Sequence, residues 1–223
     1  MTIKARLNNL KSSLLDILFP KKCLGCRENG AYLCSKCISS IPIATKSQSE
    51  NVYALYSYTD ERIKKAIWLL KYKYNKKIGD ELAFLLYSKL ICKSVDEFEF
   101  PENSQIMLVP IPLSKKRMRE RGFNQSEILA KEIVKNGEVL RFILKTDMLT
   151  RSKDGPHQTS IQNRAERIKN IEGSFTVTNK PNIEGKCIIL IDDVTTTGAT
   201  LVEGISTLKE AGARKVVGVA LAH

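Results

Sequence analysis

CIILIDDVTTTGAT, residues 187–200, decides the reading of this chain. The apolar residues 188–191 are what a buried strand requires. Asp192 and Asp193 stand at its carboxyl edge, and Thr195, Thr196, Thr197, Gly198, Ala199 and Thr200 lead into a helix marked by Leu201, Ile205 and Leu208. A helix N-terminus presents unpaired backbone N–H groups and the positive end of its dipole, so an anion is favoured there. Gly198 lets the backbone approach that anion, and the threonine hydroxyls add donors. Two adjacent acids are wrong for gripping phosphate itself. They suit the vicinal hydroxyls of a ribose whose phosphate lies in the next turn. An Asp-capped helix after a Thr-rich turn is the ordinary alternative, but the full order of strand, acid pair, hydroxyl loop, glycine and helix is much rarer.

Outward from this loop, strands and helices alternate. VYALYSYTD (52–60) has the residues of a strand, and 61–91 carries helical spacing at Ile63, Ile67 and Leu70 and again at Leu82, Leu85 and Leu86. Two helices broken near Asn75 to Gly79 are expected. SQIMLVPIPLS (104–114) reads as a buried strand ending in a Pro-x-Pro turn, FNQSEILAKEIVKNG (123–137) as a helix stopped at Gly137, and RFILKTDMLTR (141–151) as one further strand. GSFTV (173–177) is a short strand, and 213–223 is the strand after the loop helix. Such alternation implies an α/β fold with a parallel sheet and ligands at the carboxyl ends of its strands.

The chain has 223 residues, 43% hydrophobic and 27% charged, as ordinary folded proteins are. Ile3, Leu7, Leu10, Leu14 and Leu18 give the first residues an amphipathic helical spacing without the apolar run of a signal peptide, and no stretch is apolar enough to span a bilayer. A cytoplasmic protein is expected. Its formal charge is +12, concentrated in two runs: seven basic and no acidic residues from Arg62 to Lys77, and five basic against one Glu from Lys115 to Arg121. That excess attracts polyanions, although a solvated basic surface would look the same.

Four of six cysteines form two Cys-x-x-Cys knuckles, Cys23/Cys26 and Cys34/Cys37. Four thiolates at this spacing suit one tetrahedral Zn2+ that folds a segment too small to bury its own core. Disulfides are disfavoured in a reducing compartment, and an iron–sulfur cluster is the lesser alternative. The zinc is expected to be structural, because no adjacent His or carboxylate leaves an open position. Cys92 and Cys187 lie in apolar surroundings and read as inert core residues. With the polar stretch IATKSQSEN (43–51) as a linker, the expected organisation is 1–45 for the amphipathic helix and four-cysteine zinc module, and 46–223 for the larger domain.

At this point the sequence resembles a known family. IDDVTTTGAT (191–200) is similar to the signature of type I phosphoribosyltransferases, which bind phosphoribosyl pyrophosphate with Mg2+. VPIPLSKKRMRERGFNQSEILA (109–130), LLDILFPKKC (14–23), the paired Cys-x-x-Cys, and Gln158, Arg167, Asn170 and Phe175 together resemble the ComF (competence protein F) family. The resemblance implies a parallel sheet with helices on both faces plus a small N-terminal zinc module. It implies that Asp192 and Asp193 hold ribose hydroxyls and that residues 195–200 hold the 5′-phosphate. The Pro110-Ile111-Pro112 turn falls at the family's pyrophosphate loop. Its neighbours Lys115, Arg117, Arg119 and Arg121 would meet pyrophosphate or a nucleic-acid backbone, where Arg serves better than Lys.

Several purine transferases of that type carry an Asp where Thr196 stands, serving as general base. Thr196 has no neighbouring His to activate it, so the loop binds ligand without supplying a base. The chain ends at His223 directly after its last strand, so an acceptor pocket is expected from the N-terminal part. There, six aromatics between Tyr53 and Tyr74 are interleaved with basic residues. Such rings can stack bases while the cations track a backbone. Tyr56 and Trp68 are expected in the core, whereas Tyr72 and Tyr74, within KYKYNKK, are expected to be exposed. His157 and His223 have no motif around them.

Three readings follow. The first is a ComF-like protein of natural DNA uptake that binds single-stranded DNA and phosphoribosyl pyrophosphate. The second is an active phosphoribosyltransferase, amidophosphoribosyltransferase-like, on an unidentified acceptor. The third is a ligand sensor whose zinc module docks a partner such as a DNA-uptake helicase.

Overall fold

In a computed structural model, the described residues are 20–44, 50–73, 75–94, 98–101, 104–136, 142–151, 171, 173–178 and 182–223. The expected helix before Phe19, Tyr74, His157, Gln158, Arg167 and Asn170 lie outside them, as does the side chain of Cys92. Two compact units are present, Met1–Ile41 and Pro42–His223.

In the first unit, the short helix α1 (Ser35–Ser39) starts directly after Cys34 and carries Cys37 of the second cysteine knuckle. The second unit is built on five parallel strands in the order β1-β7-β6-β2-β3. These are β1 (Val52–Tyr56), β2 (Ile106–Pro110), β3 (Phe142–Leu144), β6 (Cys187–Val194) and β7 (Lys215–Ala222). The central strands β2 and β6 have almost no exposed residue, as parallel strands covered on both faces require.

Helices α2 (Glu61–Lys73), α3 (Lys76–Ser94), α4 (Lys115–Arg121), α5 (Gln125–Asn136) and α6 (Ala199–Glu210) complete the frame. Successive strand residues point to opposite faces. On one face, Met107, Val109, Ile188, Leu190 and Val216 form a core cluster with Leu201, Ile205 and Leu208 of α6. The alternate residues Leu108, Ile189 and Val217 are equally buried, and α5, itself packed on α3, lies against β2, β3 and β6. Helices therefore cover both faces, as the sequence predicts.

The chain departs from the sequence reading in three places. Residues 141–151 do not form one strand: β3 joins the parallel sheet, while β4 (Leu149–Arg151) pairs antiparallel with β5 (Phe175–Val177) in a separate ribbon. The break falls on the polar run Lys145, Thr146, Asp147; Lys145 N–H still donates to Leu108 at 2.9 Å, and Met148 already accepts from Thr178 N–H at 3.2 Å. Second, the basic run 115–121, to which the sequence pattern assigns no element, is a helix. Ser114 Oγ accepts from Arg117 N–H at 3.3 Å, and Gly122, at φ 76°, closes the other end. Third, Trp68 is 47% exposed rather than buried, because Ile63, Ala66, Ile67 and Leu70 already fill the inward stripe of α2. Tyr56 and Cys187 are buried, as expected. The break between α2 and α3 lies where predicted, with Asn75 Oδ1 accepting from Ile78 N–H at 3.3 Å.

Candidate anion-binding site and candidate metal centre

From β2 the chain turns to β3 on one side; from β6 it turns to β7 on the other. Their carboxyl ends therefore flank a topological switch point, where open α/β sheets bind ligands. A cavity of about 430 Å³ opens there, and residues 192–200 all line it.

Asp192 and Asp193 are buried at the end of β6. Asp192 Oδ1 accepts from Ser126 Oγ at 3.0 Å and from Asp193 N–H at 2.9 Å. Asp193 Oδ1 accepts from Val194 N–H at 2.9 Å. Lys71 Nζ, from α2, stands 2.8 Å from Asp193 Oδ2. That oxygen nonetheless accepts no hydrogen bond, so the contact is an ion pair outside hydrogen-bonding angles. Burial, and then the neighbouring Asp193 charge, push the Asp192 carboxyl up to about 7. The site thus concentrates negative charge and leaves an acceptor unused. Sugar hydroxyls or a metal ion brought by a ligand would relieve both.

Beyond the acids, Thr195 N–H donates to Ala222 at 2.9 Å and ties the loop to β7. Gly198 adopts φ 78°, the left-handed conformation that turns the loop into α6, and Thr197 Oγ1 accepts from Ala199 N–H at 3.4 Å. The N–H groups that follow in the first turn of α6 are left for an anion. Thr196 is exposed, and Thr197 and Thr200 are half-buried beside it.

The cavity's other wall is the Pro-x-Pro turn with α4. Arg117 and Arg121 line it, whereas Lys115 and Arg119 are exposed and do not. The reason is helical: 117 and 121 are one turn apart on one side, with 115 and 119 on the other. Arg121 Nη1 donates to Gln125 Oε1 at 2.9 Å and its guanidinium sits 5.4 Å from the Tyr72 ring centre. Asn124 donates to the Ile111 carbonyl at 3.0 Å and accepts from Ser126 N–H at 3.0 Å, locking the turn to the start of α5.

Sequence reasoning missed Lys71, Ser126, Asn124 and the exposed Trp68. Asn124 and Ser126 lie in the quoted 109–130 stretch, but nothing local announces their partners. Tyr72 is exposed at the rim as expected; Tyr74 lies outside the described residues.

In the first unit, the sulfurs of Cys23, Cys26, Cys34 and Cys37 all lie within 4.8 Å of one another. Cys34 Sγ is 3.7 Å from Cys23 Sγ and 3.6 Å from Cys26 Sγ. A tetrahedron of Zn–S bonds places sulfurs about 3.8 Å apart, so this donor set fits zinc. Cys34 N–H points at Cys23 Sγ at 3.5 Å, the kind of contact that supports a thiolate ligand.

The phosphoribosyl transferase domain family matches residues 119–223. The chain is 37% identical to competence protein ComFC of Bacillus subtilis over 110 residues, 49% of this chain and 41% of that protein. It is 32% identical to competence protein ComFC of Streptococcus pneumoniae over 146 residues, 66% of this chain and 57% of that one. It thus spans about half the length of these relatives. The hypoxanthine-guanine phosphoribosyl transferase of L. donovani superposes with a TM-score of 0.38 at 12% identity, covering 66% of this chain and 68% of that one. With its acid pair, loop and parallel sheet in one domain and its cysteine cluster ahead of them, the chain is similar to the ComF and ComFC competence proteins, and its residues 119–223 match the phosphoribosyl transferase domain family.

Proposed function

We propose that this protein acts in natural transformation as a ComF-type competence protein, binding phosphoribosyl pyrophosphate with Mg2+ at residues 192–200 and single-stranded DNA on its basic surface. The observation that carries the ligand reading is the pairing, in one cavity, of the acids Asp192 and Asp193 with the start of α6. Ribose hydroxyls fit Asp193 Oδ2, which beside Lys71 accepts no hydrogen bond, and the 5′-phosphate fits the N–H groups after Gly198. Arg117 and Arg121 take pyrophosphate oxygens or a DNA phosphate. The Mg2+ travels with the pyrophosphate, and one or two carboxylates suffice to hold such a hydrated ion.

The DNA-uptake role rests on the relatives' names, and the charge of +12 agrees with it. Zn2+ is proposed as the structural ion of the cysteine module, a DNA-uptake helicase as its partner, and the cytoplasm as its compartment. Two domains, 1–45 and 46–223, are proposed to divide these tasks. Thr196, where several transferases carry an acid, offers only a hydroxyl, so binding rather than transfer is the favoured activity.

Calorimetric titration with phosphoribosyl pyrophosphate and Mg2+ tests this, repeated with Asp193→Asn and with single-stranded DNA competing. Saturable binding weakened by Asp193→Asn is expected, with no pyrophosphate released. Pyrophosphate release with a nucleobase or an amine would instead establish a transferase. Absence of binding would remove the reading.

A further inference from the structure

The four cysteines of the first unit are free thiols whose sulfurs lie within 4.8 Å of one another, but solvent does not reach them equally. Cys23 and Cys37 are buried, Cys34 is half-buried, and Cys26 is exposed. Cys26 sits in a knuckle whose residues 25–30 are all exposed, with Arg27 in the left-handed region at φ 70°. An open sulfur therefore stands 3.6 Å from Cys34 Sγ. Cys23 Sγ is almost as near to Cys34, at 3.7 Å, but it is fully buried and takes the Cys34 N–H at 3.5 Å. Among the described residues of this unit, the buried apolar side chains are Cys23, Leu33, Cys37 and Ile41, and two of these are metal ligands. A unit with so little else to bury holds its shape through the ion.

We propose that Cys26 and Cys34 form an oxidation site, at which a hydroperoxide converts the module into a disulfide-linked form that no longer holds its metal. This rests on the reading of the module as a zinc site. A zinc-bound thiol is kept deprotonated, and a thiolate open to solvent beside a second sulfur is the arrangement that peroxides oxidise. With hydrogen peroxide, the Cys26 thiolate attacks one oxygen; the O–O bond breaks, sulfenic acid forms on Cys26, and hydroxide leaves. The Cys34 thiolate then attacks the Cys26 sulfur, forming the S–S bond and expelling a second hydroxide. Two thiolates have lost two electrons, and the peroxide has gained them as two hydroxide ions. Exposure decides the first sulfur, since the oxidant reaches Cys26 and not Cys23 or Cys37; proximity decides the second. The pair then no longer offers two anionic donors, so half of the ligand set is gone. A dithiol reverses the step by thiol–disulfide exchange, and zinc can bind again.

The full chain, loaded with zinc and freed of excess, is treated with hydrogen peroxide. A chromogenic chelator reads the zinc released, and mass spectrometry of tryptic peptides maps the thiols. Trypsin cuts after Lys22, Arg27, Lys36 and Lys46, so Cys26 and Cys34 fall on separate peptides, 23–27 and 28–36, and Cys37 on a third. One zinc released per disulfide is expected, with a link between 23–27 and 28–36 that fragmentation assigns to Cys26. Dithiothreitol should restore the thiols and, with zinc added, the bound metal. Cys26→His retains three cysteines and a histidine, a donor set zinc accepts. Without the open thiolate it should release zinc about tenfold more slowly. Should that variant take up no zinc, the peptide map of the wild-type chain decides alone. Zinc retained with four intact thiols, a link that bypasses Cys26 or Cys34, or equal release from wild type and Cys26→His overturns the oxidation site and leaves the zinc reading standing. A chain that takes up no zinc before peroxide overturns both.

Discussion

Lys71 Nζ lies 2.8 Å from Asp193 Oδ2, joining helix α2 to the end of strand β6 across the candidate ligand cavity. This contact sets the charge balance of the site. Two buried acids stand side by side, and Lys71 is the cation whose charge lowers the Asp192 carboxyl against burial and its neighbour. Replacing it with Lys71→Met leaves both carboxyls without that charge. Stability should fall by about 1–3 kcal/mol at pH 8, a partial loss for a pair that is not fully buried. The loss should be smaller at pH 5, where a proton on Asp192 replaces the missing cation. Urea melts of both proteins at the two pH values measure it.

Asp192 itself makes stability depend on pH. Its folded-state value of about 7 lies above the ordinary 3.8, so between these the unfolded chain is ionised and the folded one holds a proton. Stability then declines as pH rises from about 4 to about 7, and levels off above. Asp192→Asn keeps an oxygen for Ser126 and removes the titration. Its melting temperature relative to wild type should therefore rise with pH across that window. A constant difference from pH 4 to pH 8 would show that Asp192 titrates at its ordinary value in the fold.

Cys34 Sγ stands close to two other sulfurs, at 3.7 and 3.6 Å. Cys34→Ser should reduce bound zinc from about one per chain to near zero. Cobalt substitution provides a second reading: wild type should show thiolate-to-cobalt charge transfer and tetrahedral bands, and the variant should lose them. Retention of a full zinc equivalent by the variant would place the ion elsewhere.

Gly218, in β7, faces α6: a Cβ there would stand 3.0 Å from Leu201 Cβ and 3.2 Å from Leu201 Cδ2. Leu201 is fully buried in the first turn of α6, so the helix itself must move to make room. Gly218→Ala should cost about 1–3 kcal/mol by overpacking. Because α6 begins at the loop, affinity for phosphoribosyl pyrophosphate should weaken as well. Thermal melts and calorimetry of the same preparation test both effects.

If single-stranded DNA binds, its affinity should fall with salt by about 0.7 in the logarithmic slope for each phosphate neutralised. Arg121→Ala should reduce the slope by about one such unit, and Arg117→Ala likewise. Lys115→Ala, on the opposite side of α4, should change it less for a strand that enters the cavity. Equal effects from all three would mean that DNA lies across the helix rather than into the site.

The ligand loop and the cysteine cluster were legible because their chemistry is contiguous. Strand, acids, threonines, glycine and helix follow one another in fourteen residues, and each knuckle closes within four. Hydrophobic periodicity likewise gave α2, α3, α5, α6 and most strands, since burial imposes its period on neighbouring residues. It failed at 141–151, where one apolar-polar run serves two sheets. It failed again at Trp68, where the inward face of α2 was already full. What only the tertiary structure decided is who faces the acids. Ser126 meets Asp192 across 66 residues, and Lys71 and the Trp68–Tyr72 pair reach the cavity from an element that precedes the sheet's centre. Such contacts depend on how helices cross a sheet, and no local pattern encodes that crossing. The sequence determined the order of acids, hydroxyls and glycine in the loop; the packing of α2 and α4 around it determined which charges and rings share its cavity.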